Sequence, residues 1–168
     1  MRRTFCFPEG PKMCKFCWSI VILLLVAVSG AIYKFGISGA TVAASDGRTA
    51  IVLEPGERDL VLAEMRGFLE AVQLITEAVG EGDTGKIATA ARKVGAGAQQ
   101  AVPASLMGKL PLGFKQMGLD THRRFDRLAL DAEEFGDPAT SLQQLSELMN
   151  NCVACHSAFR LDAVAAGR

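Results

Sequence analysis

An uninterrupted apolar run near the N-terminus constrains this chain more than any other feature. The run extends from Trp18 to Tyr33, and residues 18–37 contain a single charged side chain, Lys34. A hydrocarbon core of ~30 Å is crossed by a helix of ~20 apolar residues. A lysine near the end of such a span extends its ammonium group to the lipid headgroups. Residues 18–37 are therefore predicted to form a transmembrane helix.

The charges on the two sides of this run predict its orientation. Residues 1–17 carry four Lys and Arg against one Glu, whereas residues 46–168 carry 13 Lys and Arg against 17 Asp and Glu. Basic segments stay in the cytoplasm, so residues 1–17 are expected there and the rest of the chain outside. The formal net charge of the whole chain is zero, which argues against a basic nucleic-acid-binding protein.

Two other interpretations of the apolar run stay open. Ala27-Val28-Ser29 and Val42-Ala43-Ala44 are tolerable cleavage sites for a signal peptide, although the run and the segment before it exceed the usual signal-peptide lengths. A buried core helix is the third possibility, but no polar face interrupts the run. An anchor and a signal peptide both export the residues that follow.

The exported part shows helical rather than strand periodicity. Residues 38–54 are predicted to be a linker and residues 55–168 one domain, without a convincing alternating strand. The first helix of this domain has apolar residues at alternating steps of four and three, the pattern of a helix in a bundle: Val61, Met65, Phe68, Val72, Ile75 and Val79. Four such helices with short connections predict an all-α fold, an antiparallel four-helix bundle after one N-terminal transmembrane helix.

Turn and capping residues set the expected helix ends. Residues 80–83 stop the first helix, and Asp83 or Thr84 caps a second one that extends to Pro103. Gly136 ends the third helix after an inward face that includes Phe135. Asp137 caps the fourth helix, with a proline at its first position. The apolar stripe of this last helix is expected to be Leu142, Leu145, Met149, Cys152, His156 and Phe159.

The fourth helix contains the one motif that carries chemistry. Cys152-Val153-Ala154-Cys155-His156 has the Cys-x-x-Cys-His spacing of c-type haem attachment. Two cysteines three residues apart on a helix face one side and form thioethers to the haem vinyl groups, and the adjacent histidine ligates the iron. Half of a zinc site and a disulfide are the alternatives, but the exported part does not offer a standard set of four zinc ligands.

A helical bundle with this motif near its C-terminus resembles the cytochrome c prime family, the class II cytochromes c. The resemblance covers residues from about 55 to 165, and Arg160 matches the family's arginine four residues after the haem histidine. It implies one covalent haem c, single-electron transfer to membrane or periplasmic redox proteins, and a place on the periplasmic side of a bacterial inner membrane. It also implies a possible homodimer. The sequence contains no nucleophile–base pair, so we do not expect an enzyme.

The resemblance leaves two candidates for the residue opposite the haem histidine. Low-spin members of the family supply a methionine sulfur from the first helix and transfer electrons, and Met65 lies on the inward stripe of that helix. High-spin members place a non-ligating side chain there and bind NO or CO. The family's arginine four residues before this position would be Arg58, which points to Leu62 instead. Met65 is the favoured ligand, and Arg160 is a candidate partner of a haem propionate.

The remaining polar residues receive ordinary interpretations. His122 is expected at the surface of the bundle. Cys6, Cys14 and Cys17 are expected on the cytoplasmic side as reduced thiols, because three thiolates without a histidine make an incomplete metal site.

Overall fold

A computed structural model describes residues 15–164 of the chain, with the side chains of 18–98 and 102–164. Residues 1–14, with Cys6 and Cys14, and the side chain of Cys17 lie outside the described residues. Helices account for 77% of the structure. Their bounds are Lys15–Ala31 (α1), Pro55–Glu81 (α2), Thr84–Arg92 (α3), Ala104–Lys109 (α4), Leu112–Phe135 (α5) and Pro138–Ala158 (α6).

The N-terminal helix is long and apolar. α1 continues as a π-helix over Ile32–Ser38, and the combined segment Trp18–Ser38 has a mean hydropathy of 2.3 with none of it buried. Within the described residues it is the helix long and apolar enough to cross a membrane. A membrane anchor and a signal sequence both fit this helix.

A small sheet follows the apolar helix, where a linker was expected. β1 (Thr41–Ala43) and β2 (Thr49–Leu53) form an antiparallel hairpin, and β3 (Phe159–Ala163) pairs with β2 in parallel. The prediction of a strand-free exported part was therefore wrong. β2 is the central strand, and its Ala50, Ile51 and Leu53 are fully buried.

α2 follows the sequence prediction closely. Of its expected apolar stripe, Val61, Phe68 and Ile75 are buried, while the remaining members are half-buried. Gly82 ends the helix in the left-handed conformation, with φ of 72°, which favours glycine. Asp83 caps α3 by accepting a hydrogen bond from the Lys86 amide at 2.9 Å, as predicted.

α3 is much shorter than its sequence pattern predicts. It ends at Arg92, and a 3-10 helix over Ala96–Ala101 replaces the expected continuation to Pro103. The cause is the neighbouring α5. His122 Nδ1 donates a hydrogen bond to the Val94 carbonyl at 2.7 Å, and Asp126 accepts a hydrogen bond from the Ala96 amide at 2.9 Å. These hydrogen bonds occupy backbone groups that would bond to other backbone groups along a continued helix.

α5 and α6 differ from prediction at their ends. Phe135 was expected to face inward but is 64% exposed in the last turn of α5. α6 ends at Ala158, so Phe159 belongs to β3 rather than to a helical stripe. Asp137 caps α6 as predicted, by accepting hydrogen bonds from the Ala139 and Thr140 amides.

The core consists of two clusters. The larger one joins α2, α3, α5 and α6 around Phe68, Ile75 and Phe125. The smaller one packs β2 and α4 against the start of α2. Met65 contacts both clusters, so the middle of α2 lies at their boundary.

Candidate functional site

The Cys-x-x-Cys-His motif occupies the last two turns of α6. Cys152 and Cys155 are half-buried and are not joined by a disulfide, while His156 is exposed. The spacing of three places both cysteines on one side of the helix. That side adjoins two clefts.

The inner cleft lies between α2, α5 and α6 and has a volume of about 200 Å³. Its walls are mainly apolar, and the motif forms one of them. The residues that line it include Met65, Phe68, Leu69, Val72, Phe114, Met117, Met149, Cys152, Cys155 and His156.

The outer cleft has a volume of about 370 Å³ and lies between α2, the end of α6 and the hairpin. The residues that line it are Arg48, Val61, Leu62, Met65, Phe114, Cys155, His156, Phe159, Arg160 and Leu161. Four of them also line the inner cleft: Met65, Phe114, Cys155 and His156.

The two candidates for the position opposite His156 differ in their access to these clefts. Met65 lines both clefts together with His156, whereas Leu62 lines only the outer one. Both side chains are half-buried. The fold therefore brings Met65 and the complete motif to one place, although the two lie about 90 residues apart in sequence.

Burial shifts the pKa of both thiols of the motif above the ordinary value of a cysteine. Burial raises the pKa of Cys152, and burial together with the nearby Cys152 raises the pKa of Cys155 to about 11. Among the side chains of residues 18–98 and 102–164, no group of three or more His, Cys, Asp and Glu is arranged to hold a metal ion.

Two arginines stand at the edge of the outer cleft. Arg48 pairs with Asp46 at 2.7 Å and also donates to the His156 carbonyl at 3.2 Å. Arg160 pairs with Asp162 at 2.8 Å and with Asp46 at 3.4 Å. Hydrogen bonds from Arg48 lower the pKa of Asp46 to about 2. Arg160 thus has carboxylate partners in the chain, and its role toward a propionate stays a prediction.

Contacts on both sides of the motif fix α6 in place. Before the motif, Asn151 donates to Asp120 at 2.9 Å, and this hydrogen bond is the main cause that lowers the pKa of Asp120. After the motif, the Phe159 ring meets the Phe114 ring edge to face, with 5.7 Å between centroids. The chain is therefore held against α5 both before and after the two cysteines.

A buried histidine, paired with a half-buried glutamate, lies next to the inner cleft. His122 is 1% exposed, so the expectation that it lies at the surface was wrong. Its Nδ1 is 2.7 Å from the Val94 carbonyl and its Nε2 is 3.1 Å from Glu64 Oε1. Burial lowers the pKa of His122, but the hydrogen bonds to Glu64 and Val94 raise it by more, so the net shift is upward. Both ring nitrogens face acceptors, which favours the protonated ring.

Three residues of this region escaped the sequence analysis as members of a site. The sequence marked Glu64 as a candidate only by its position next to Met65, and Phe114 only by its position on the inward face of α5. Arg48 had no local signal, because it reaches the motif only through the unexpected hairpin.

The donor set and the walls fit a covalently attached haem. Two cysteines and a histidine in attachment spacing lie with the Met65 thioether beside two mainly apolar clefts. Cofactor sites are typically apolar and have volumes of about 300–1,000 Å³; the outer cleft, at about 370 Å³, lies in this range and the inner one, at about 200 Å³, lies below it. Comparison with known proteins adds no assignment, because no protein-family model, no curated protein and no solved structure matches the chain.

Proposed function

We propose that this protein is a membrane-anchored c-type cytochrome that carries single electrons through one covalent haem c. The observation that carries the proposal is that Met65, Cys155 and His156 line both clefts beside the attachment motif, with Cys152 in the wall of the inner one. Neither a redox dithiol nor half of a zinc site would need a thioether side chain at that place. Electron transfer rather than catalysis is its role in this proposal.

The fold proposed to hold the haem is the antiparallel four-helix bundle of the class II cytochromes c. α2, α3, α5 and α6 are its four helices, and the large core cluster that joins them supports this assignment. The family resemblance led us to expect neither the short α3 nor the three-stranded sheet.

Each site residue has a defined part in this proposal. Cys152 and Cys155 would hold the porphyrin, and His156 and Met65 would ligate its iron. The bound haem would supply the one-electron chemistry. The chain binds it, excludes water with apolar walls and sets its potential, which a thioether ligand raises. Arg48 and Arg160 offer positive charge to a propionate.

The proposed location is the periplasmic side of a bacterial inner membrane. The apolar helix anchors the chain through residues 18–37 and keeps it near membrane or periplasmic redox proteins, which raises their effective concentration. A homodimer is compatible with this arrangement. Nucleic acid is not a proposed partner.

The test is production of the full chain in bacteria with the c-type haem maturation machinery. We expect a red protein whose mass exceeds that of the polypeptide by one haem and whose pigment stays attached in acidic acetone. Cys152→Ser with Cys155→Ser should abolish the attached pigment, whereas Ser157→Ala, beside the motif, should leave it. A colourless wild-type chain, or pigment extracted by acidic acetone, would overturn the proposal.

A second candidate function is binding of NO or CO at a five-coordinate haem. Leu62 favours it, because this apolar side chain lines the outer cleft together with His156. High-spin ferrous iron that takes up CO in the wild-type protein supports this alternative. Low-spin iron in both oxidation states without CO uptake supports the electron carrier.

A further inference from the structure

The apolar N-terminal helix joins the rest of the protein without a flexible connection. Its π-helical end stops at Ser38, and β1 begins at Thr41. Gly39 makes the turn with φ of 67°, and its amide donates to the Lys34 carbonyl at 2.9 Å. The Lys34 ammonium returns a hydrogen bond to the Gly39 carbonyl at 3.1 Å. The exit from the helix is therefore a defined turn.

The same turn is packed against the corner between α4 and α5. The Ala40 amide donates to the Lys109 carbonyl at 2.7 Å, and a side chain at Gly39 would collide with that carbonyl. The Lys115 ammonium donates to the carbonyls of Phe35 and Gly36 at 3.1 and 3.3 Å. These contacts hold the last turns of the apolar helix on residues 108–115.

The corner carries exposed apolar side chains beside this contact. Met107 at the end of α4 is 36% exposed, and Leu112 at the start of α5 is 40% exposed. Lys109, whose ammonium pairs with Glu57 at 2.6 Å, and Lys115 flank them. Apolar side chains accompanied by lysines are typical of protein surfaces at the boundary between headgroups and acyl chains.

We propose that this corner, residues 104–115, is a lipid-facing surface that enters the bilayer boundary beside the apolar helix. The proposal rests on residues 18–37 being retained as an anchor, as proposed above. The occupant is lipid because the surface is continuous with the end of a helix long and apolar enough to span a membrane. The contact gives the domain one fixed orientation on the membrane.

This orientation extends to the candidate haem site. β1 begins two residues after Gly39 and pairs with β2, which in turn pairs with β3 directly after α6. Arg48, just before β2, donates to the His156 carbonyl. The clefts therefore keep a constant position relative to the bilayer, and a membrane-bound redox partner meets the same face of the protein at every encounter.

The experiment uses the full chain, with its pigment, in phosphatidylcholine vesicles that contain a photoactivatable diazirine acyl chain. Lipid adducts located by mass spectrometry are expected on residues 18–38 and also on Met107 and Leu112. Leu130 is the internal control, because it is 50% exposed on the same helix but ~27 Å farther along it. Adducts confined to residues 18–38, or equally frequent at Leu130, would overturn the proposal.

Two variants test the docking itself. Gly39→Ala should reduce the adducts on Met107 and Leu112 to the level of Leu130, while Gly30→Ala, where a side chain meets open space, should leave them unchanged. Leu112→Glu, at a position that is 40% exposed, should lower the adducts on Met107 because it places a charge on the surface. Unchanged adducts in both Gly39→Ala and Leu112→Glu would contradict the proposal. Absence of pigment refutes the haem function and leaves this inference standing. A mature chain that begins after residue 38 refutes this inference and the proposed anchor, and leaves the haem function standing.

Discussion

The Arg48 guanidinium donates a hydrogen bond from Nη1 to the backbone carbonyl of His156, at 3.2 Å. A second bond reaches the Phe159 carbonyl at 3.4 Å. The last carbonyls of a helix have no partner within it and carry partial negative charge, so a cation at this end is favourable. Arg48 thus ties the hairpin to the C-terminal end of the motif.

Replacement of Arg48 by glutamine should loosen this tie. We expect Arg48→Gln to lower the free energy of unfolding by about 1 kcal/mol, because the lost bonds are charge-assisted but half-exposed. Arg123→Gln on the outer face of α5 is the control and should change it by less than about 0.5 kcal/mol. Urea unfolding followed by circular dichroism measures both. Equal effects would mean that Arg48 is only another surface charge.

Loss of the Met65 sulfur should change the spin state of the iron. In the haem-loaded protein, Met65→Ala is expected to convert low-spin to high-spin iron and to permit CO binding, because the remaining protein ligand is His156. Leu62→Ala is the matched control on the same helix face and should keep the low-spin spectrum. Optical and electron paramagnetic resonance spectra measure the result. An unchanged spectrum in Met65→Ala would exclude Met65 as a ligand.

The buried His122, bonded to the half-buried Glu64, should make stability depend on pH. The folded-state pKa of His122 lies above the unfolded value of about 6.5, so its contribution is complete below that pH and is lost as the pH rises through the folded pKa. The wild-type free energy of unfolding should therefore fall from about pH 6.5 to pH 9 more than that of His122→Gln.

The loss of stability in His122→Gln also has an expected size near pH 6. Near pH 6, His122→Gln should cost about 1.5–3 kcal/mol, the range for a hydrogen bond to a charged group. Urea unfolding at several pH values gives both curves. Parallel curves for the two proteins would show that His122 does not change its protonation in this range.

The core should respond strongly to loss of Phe125. This ring is fully buried and stacks on Phe68, with 5.6 Å between centroids. Phe125→Ala is expected to cost about 3–5 kcal/mol through lost burial and a residual cavity. Phe135→Ala, on the same helix but largely exposed, should cost less than about 0.5 kcal/mol. Thermal and urea unfolding give the values, and similar losses would contradict the assigned core.

Local signals predicted the parts of the fold that depend on nearby residues. The stripe of α2, the caps at Asp83 and Asp137 and the stop at Gly136 act over a few residues, so a single sequence is enough to read them. The early end of α3 was not predictable, because His122 and Asp126 from α5 cause it. The hairpin was missed because β1 and β2 are short and are stabilised by β3, which lies more than 100 residues away.

By itself, the sequence determined the apolar N-terminal segment, the amphipathic helices and the attachment spacing of Cys152, Cys155 and His156. These features depend on composition and on helical periodicity, which are local properties of the chain. Only the tertiary structure decided that Met65 shares two clefts with the motif, that His122 is buried and that a sheet joins the apolar helix to the end of α6. Each of these depends on contacts between residues far apart in sequence. Such contacts stabilise the chain only once it has folded.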